Sequence, residues 1–257
     1  MKKLVPTVAL TALALTASTA ALAQTTGAAP AKPTVILIHG AFGDPESWDK
    51  VIPLLQKQGV PVVSVSIPLT SLADDASATQ RAIDRVAGPV VLVGHSWGGT
   101  VITEAGNDPK VRALVYVAAF ANRPGESVAD MSKGFPQALG LSALEVDGQG
   151  YARMSDTGFA KFFAPGATQA ERGLMSAVQG PINTASFGQP VTHAGWQGKP
   201  SWFALTTHDQ MIVPAMQEAM AKQIGAHVTR IAGDHGAMVS HPTEVADVIL
   251  AAEAAVD

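Results

Sequence analysis

The chain has 257 residues, with 17 Lys and Arg against 21 Asp and Glu, for a formal net charge of −4, and it contains no Cys. With no basic cluster, that balance argues against a nucleic-acid partner. Without Cys there are neither disulfides nor a lipid-bearing cysteine.

In chain order, the first element is a targeting signal. Met1-Lys2-Lys3 forms a positive start, residues 4–22 are apolar and small, and Ala21-Leu22-Ala23 supplies an Ala-x-Ala cleavage site. Thr7, Thr11, Thr16, Ser18 and Thr19 dilute the run and no charged flank follows it, which disfavours a retained membrane anchor. The expectation is a signal over 1–23, a disordered Thr/Gly/Ala/Pro leader over 24–32, and a periplasmic or secreted protein free of the membrane after cleavage. Without Lys2 and Lys3, 15 basic side chains face 21 acidic ones, a net charge of −6. The remaining stretch, 33–257, suits one α/β domain. The sequence does not specify its oligomeric state.

Apolar runs then alternate with helical segments, the pattern of a parallel sheet covered on both faces. Val35–Ile38 reads as a strand buried on both sides. A helix capped by Asp44, with Pro45 at its first position, runs to Gly59. The next elements are a strand over Val62–Ser66, a helix over about Ala76–Val86, a strand over Val90–Val93, a helix over about Trp97–Asn107 and a strand over Val111–Val117. Residues 121–199 break the alternation. They are rich in Gly, Pro, Ser and aromatics, lack a clear strand, and read as a lid, with short helices near Gly158–Phe163 and Gln169–Val178. The core resumes with a strand at Ser201–Thr206, a helix at about Ala215–Ile224, a strand at Val228–Ile231 and a last helix at about Pro242–Ala255.

Gly94-His95-Ser96-Trp97-Gly98 lies directly between a strand and a helix, the context of a nucleophile elbow. The turn lifts Ser96 out of the sheet edge in a strained conformation, and glycines on either side leave it room. A serine hydroxyl needs a base and an orienting acid, which in this kind of fold follow in the order Ser, acid, His. His235, after the last strand, fits the base. His241, at the start of the last helix, competes with it. His39, His95, His193, His208 and His227 are placed less well. Asp209, after the Ser201–Thr206 strand, fits the acid, and Glu126 remains the alternative. Asp234 adjoins His235 too closely to orient it. Oxyanion donors are expected from the backbone N–H of Trp97 and from the 39–43 loop, at Ala41 with Phe42 next to it. Phe42, Phe162 and Trp196 are candidate pocket residues, with Phe135, Phe159, Phe163 and Met175 adding to an apolar lid. The His208-Asp209 and Asp234-His235 pairs lack ligand spacing, so no metal and no cofactor is expected.

These residues carry a resemblance. His39-Gly40-Ala41-Phe42 with Trp48, Gly94–Gly99, Ala118-Ala119-Phe120 with Pro124–Ser127, His208-Asp209 with Val213-Pro214, and Asp234-His235 with Met238–Pro242 resemble the small α/β-hydrolases. That group includes plant methylesterases, hydroxynitrile lyases and bacterial carboxylesterases. The likeness runs from about Pro33 to the C-terminus. It implies an α/β-hydrolase fold, a mostly parallel sheet of roughly six strands flanked by helices, with the lid inserted between the strands near 111–117 and 201–206. The lyases carry a threonine after the first-loop histidine and a lysine after the catalytic one. Gly40 and Gly236 stand at those positions here. The implied activity is therefore hydrolysis of a small-molecule carboxylic ester through an acyl-enzyme on Ser96. A lactonase with the same triad and a non-catalytic ligand-binding relative are the alternatives.

Overall fold

In the computed structural model, residues 32–257 and Met1 are described. The expected signal and all of the expected leader but Lys32 lie outside the described residues. The central sheet is built from β1 (Thr34–Ile38), β2 (Val62–Val65), β3 (Val90–His95) and β4 (Val111–Val117), joined after the insertion by two later strands. β1 and β3 are almost wholly buried, because their continuous β-branched and leucine runs have helices on both faces.

The first helical stretch is two pieces, not one: a 3-10 turn at Pro45–Trp48 and α1 at Ile52–Lys57. Pro53 lacks an N–H, and its ring would strike the carbonyl four residues earlier, so the helix must restart. Asp44 caps the turn as expected, accepting from the Glu46 N–H at 2.9 Å. α2 (Leu72–Arg85) begins four residues before the expected start, since Ser71 accepts from the Asp74 N–H at 3.0 Å and is its cap. α3 (Trp97–Ala105) follows the elbow.

The insertion holds more than short helices. After α4 (Val128–Ser132) it builds a small antiparallel sheet, β5 (Leu144–Val146), β6 (Tyr151–Met154) and β7 (Ile182–Asn183), in the order β5-β6-β7. These strands are two to four residues long, too short to print a period on the sequence. Between β6 and β7 lie α5 (Asp156–Gly158), a π-helical turn at Phe159–Phe163 and α6 (Gln169–Val178). The core then closes with β8 (Ser201–Thr206), α7 (Pro214–Gln223), β9 (His227–Ile231), α8 (Ala237–Ser240) and α9 (Pro242–Ala254). Among the described residues, no helix is long and apolar enough to cross a membrane.

The six central strands are all parallel, in the order β2-β1-β3-β4-β8-β9. From β1 the chain winds outward to β2, and from β3 it winds the other way, so the sheet switches direction between β1 and β3. Loops leaving those two strands part there and leave a crevice at their carboxyl ends. Ile38 is level with Gly94 in the ladder, which brings the 39–43 loop beside the elbow.

Candidate active site

Ser96 has φ 52° and ψ −120°, a conformation that an L-residue holds only when its surroundings enforce it. The enforcement is visible. The Ser96 N–H donates to the Val117 carbonyl at 3.3 Å, and the Ser96 carbonyl accepts from Gly99 N at 3.0 Å and Phe120 N at 3.2 Å. Gly98 is required by packing: a Cβ there would sit 2.6 Å from the Ile38 carbonyl oxygen and 2.7 Å from that of His39.

Across the crevice, the structure brings three expected residues together. Ser96 Oγ lies 2.9 Å from His235 Nε2, and His235 Nδ1 lies 2.8 Å from Asp209 Oδ2. All three are buried. A carboxylate can only accept, so Nδ1 carries the imidazole proton and Nε2 offers its lone pair to the serine. Asp209 is held by four further donors. Thr206 Oγ1 and Gln217 Nε2 each reach Oδ2 at 2.9 Å, and the Met211 and Ile212 N–H groups reach Oδ1 at 2.7 and 2.9 Å.

The competing residues are occupied elsewhere. Glu126 accepts from the Arg123 N–H at 3.0 Å within its own turn, so it does not meet the histidine. His241 stands at the cap position of α9, but its ring faces Ser240 Oγ at 3.0 Å and makes no side-chain cap bond. Asp234 does not orient His235. Its Oδ2 accepts from the Gly166 N–H at 2.6 Å and its Oδ1 from Ser240 Oγ at 3.2 Å, while the Gly236 N–H donates to the Phe163 carbonyl at 2.9 Å. The loop bearing His235 is therefore stitched to the lid, and the Phe163 ring stands edge-on to the imidazole with centroids 4.8 Å apart.

Three buried titratable side chains brace the site without touching Ser96 Oγ. His95 donates from Nε2 to the His235 carbonyl at 2.9 Å. Burial, and then the neighbouring His235, hold its pKa well below the usual imidazole value. His39 donates from Nδ1 to the Gly40 carbonyl at 2.9 Å and accepts from the Ile67 N–H at 3.2 Å, and burial pulls its pKa down to about 4. Asp75 accepts from Trp97 Nε1 and from the Leu69 N–H, both at 2.7 Å. Burial raises Asp75 to about 6 against the pull of those two donors. Sequence reasoning missed Asp75, because the expected helix began at about Ala76; Ser71 as the cap is the signal that brings Asp75 inside α2.

Trp97 opens α3, so its backbone N–H is one of those that a helix leaves without an internal acceptor. Ala41 and Phe42 sit in the turn after β1, where Phe42 takes φ 60°. Together with Ser96 and His235 they line a cavity of about 350 Å³ walled by Phe120, Phe135, Phe187, Leu141, Met211 and Ile212, among others. Among the described residues, no Asp, Glu, Lys or Arg lines it. Phe162 and Trp196, the other expected pocket residues, are not among its walls. Trp196 donates its indole N–H to the Asn122 carbonyl at 2.9 Å, and Phe162 packs near the Gly140 backbone. Gly40 and Gly236 leave no space for a side chain: a Cβ would lie 2.7 Å from Ser96 Cβ at the first and 2.8 Å from Ala164 Cβ at the second.

A doubly wound parallel sheet with a strained serine at a strand-to-helix elbow defines the class of α/β-hydrolases. The family model described as "Alpha/beta hydrolase family" matches residues 35–248, and the chain belongs to that family. It is 29% identical over 247 residues to a probable hydrolase, R7, of a Phoma species, covering 85% of this chain and 97% of that one. It is 26% identical over 244 residues to a pyrethroid hydrolase of Sphingobium wenxiniae, covering 84% and 85%. The crystal structure of polyneuridine aldehyde esterase superposes with a TM-score of 0.76 over 86% of this chain and 99% of that one, at 18% identity, a likeness of fold. The chain is accordingly a hydrolase, with esterases among its relatives.

Proposed function

We propose that this protein is a serine esterase that cleaves neutral, apolar carboxylic esters through an acyl-enzyme on Ser96. The observation that carries the reading is the hydrogen-bonded series from Ser96 Oγ through His235 to Asp209 on the floor of an uncharged cavity. His235 Nε2 takes the hydroxyl proton as Ser96 Oγ attacks the ester carbonyl, and Asp209 stabilises the imidazolium that results. The developing oxyanion is received by the N–H groups of Trp97 and of Ala41 or Phe42. Collapse of the tetrahedral intermediate passes the proton from His235 to the departing alkoxide. Water then repeats the sequence on the acyl-enzyme and releases the acid.

The relatives named for hydrolysis of pyrethroids and of an aldehyde ester support a bulky apolar substrate. Walls that carry neither acidic nor basic side chains among the described residues support an uncharged one. The crowding at Gly40 and Gly236 disfavours the lyase pattern, which needs side chains there. Export is part of the proposal and rests on residues 1–23. N-terminal sequencing of protein from a periplasmic or culture fraction checks it, and a mature start at Gln24 is expected.

Purified Ser96→Ala tests the chemistry. Removal of a triad serine costs about six orders of magnitude in kcat, and a phosphonate ester should label the wild type at Ser96 alone. Near-normal turnover of 4-nitrophenyl acetate by Ser96→Ala would sink the mechanism.

A further inference from the structure

A second cavity, of about 90 Å³, lies beneath α6. Its apolar walls include Phe163, Leu174, Met175, Val178 and Val239. α6 presents Leu174, Met175 and Val178 on one side, yet none of its residues is buried and Leu174 remains 52% exposed. The helix thus roofs a space where an amphipathic helix ordinarily buries its apolar face in a core. One residue, Phe42, lines both this space and the catalytic cavity. Phe42 belongs to the oxyanion loop, is buried, and is held at φ 60°.

An ester has two arms that diverge from its carbonyl carbon, and the carbonyl must sit at Ser96 beside Phe42. We propose that the space beneath α6 is an apolar subsite for the second arm of the ester, and that Phe42 is the specificity-determining partition that limits how long that arm can be. This rests on the esterase reading of Ser96. A cavity of about 150 Å³ is what holds a benzene ring, so the smaller space takes an alkyl chain, while an aryl arm must occupy the larger cavity. The arm must also carry no negative charge. Asp44, Glu46, Asp49 and Glu171 border the space, and Lys50, among the described residues the one Lys or Arg there, is already paired with Glu171 and donates to the Val239 carbonyl.

The test uses 2-naphthyl esters from acetate to octanoate, so that the aryl arm is constant and the acyl arm grows. Each methylene removed from water is worth about fourfold in binding. Phe42→Ala, which keeps the backbone N–H, should raise the octanoate-to-acetate ratio of kcat/KM by about tenfold or more. Adding Met175→Trp, which fills the space beneath α6, should return the ratio to near its wild-type value. If Phe42→Ala proves unstable, Phe42→Leu should give the same shift at about threefold. A ratio unmoved by Phe42 substitution, or raised equally with and without Met175→Trp, overturns the proposal.

Binding of 2-naphthyl octanoate in a Ser96→Ala background decides the matter independently of turnover. There, Phe42→Ala should tighten Kd by about tenfold and Met175→Trp should abolish the gain. A wild type that hydrolyses none of these esters would count against Ser96 chemistry, while the binding series would still decide the role of Phe42.

Discussion

Asp209→Asn exposes the logic of the candidate triad most sharply. The carboxylate takes five donors on two oxygens. Oδ1 receives two backbone N–H groups, Met211 and Ile212, which cannot turn away. The amide oxygen of Asn must therefore stay at the Oδ1 position, which puts its NH₂ where Oδ2 met His235, Thr206 and Gln217. His235 Nδ1 then faces a donor and must become an acceptor. The ring proton moves to Nε2, 2.9 Å from Ser96 Oγ, and the base can no longer take the serine proton. A wrong tautomer of this kind costs about 10⁴ in kcat in a serine-protease triad, about 5.4 kcal/mol of transition-state stabilisation. Glu126→Gln still offers an amide oxygen to the Arg123 N–H within its turn, and should change kcat by less than about twofold. Steady-state kinetics on 4-nitrophenyl acetate, with circular dichroism to confirm folding, makes the comparison. Equal losses, or a larger loss for Glu126→Gln, would refute Asp209 as the acid.

The remaining predictions concern stability, the base and the lid tie. His39 folds as a neutral ring with a pKa near 4 against 6.5 when unfolded, so its contribution is complete above pH 6.5 and is lost as pH falls toward 4. The loss amounts to about 3 kcal/mol, and urea melts should show His39→Gln lacking that part of the acid slope. Asp75, raised to about 6, acts in the opposite sense: its stabilising contribution is present in acid and fades as pH rises from about 4 through 6. Asp75→Asn should therefore gain on the wild type over that interval, and parallel curves would exclude the assignment. His235→Ala should lower kcat nearly as far as Ser96→Ala does, whereas His241→Ala, whose ring faces Ser240 Oγ, should leave kcat within a few fold of wild type. Asp234→Ala leaves the Gly166 N–H without its acceptor, which should cost about 1–3 kcal/mol and lower Tm by several degrees. Faster hydrogen exchange at Gly166 would locate that loss.

What could be read from the sequence was what is local. The runs at β1, β3 and β8 are nearly all buried, β4 is broken only at Arg112, and the elbow is five adjacent residues, so the sheet and Ser96 stood out. Asp209 and His235 could be placed because each follows a strand directly. What escaped was decided by chain folding back on itself. Gln217 reaches Asp209 from the next helix, Asp75 reaches Trp97 from 22 residues away, and Asp234 reaches across 68 residues to Gly166. The lid showed its apolar content but not its directions. Phe135 turns into the cavity beside Ser96 while Trp196 turns toward Asn122, and nothing in their neighbours' identity distinguishes them. The interruption at Pro53 was written in the sequence, because proline's missing N–H is a local fact.

The stitching between the lid and the His235 loop divides the insertion into two kinds of territory. Residues 128–138 furnish Val128, Phe135 and other pocket walls, whereas Gly140 beyond them donates its N–H to the Gln210 carbonyl at 2.9 Å, next to Asp209. Residues 163–166 are bound to the loop that carries His235 through Phe163 and Gly166. Substitutions in the first stretch should reshape the cavity without disturbing the imidazole, whereas changes in the second should move His235 itself. A lineage diversifying its substrates, or an engineer doing the same, has free ground in one half of the lid and a constrained hinge point in the other.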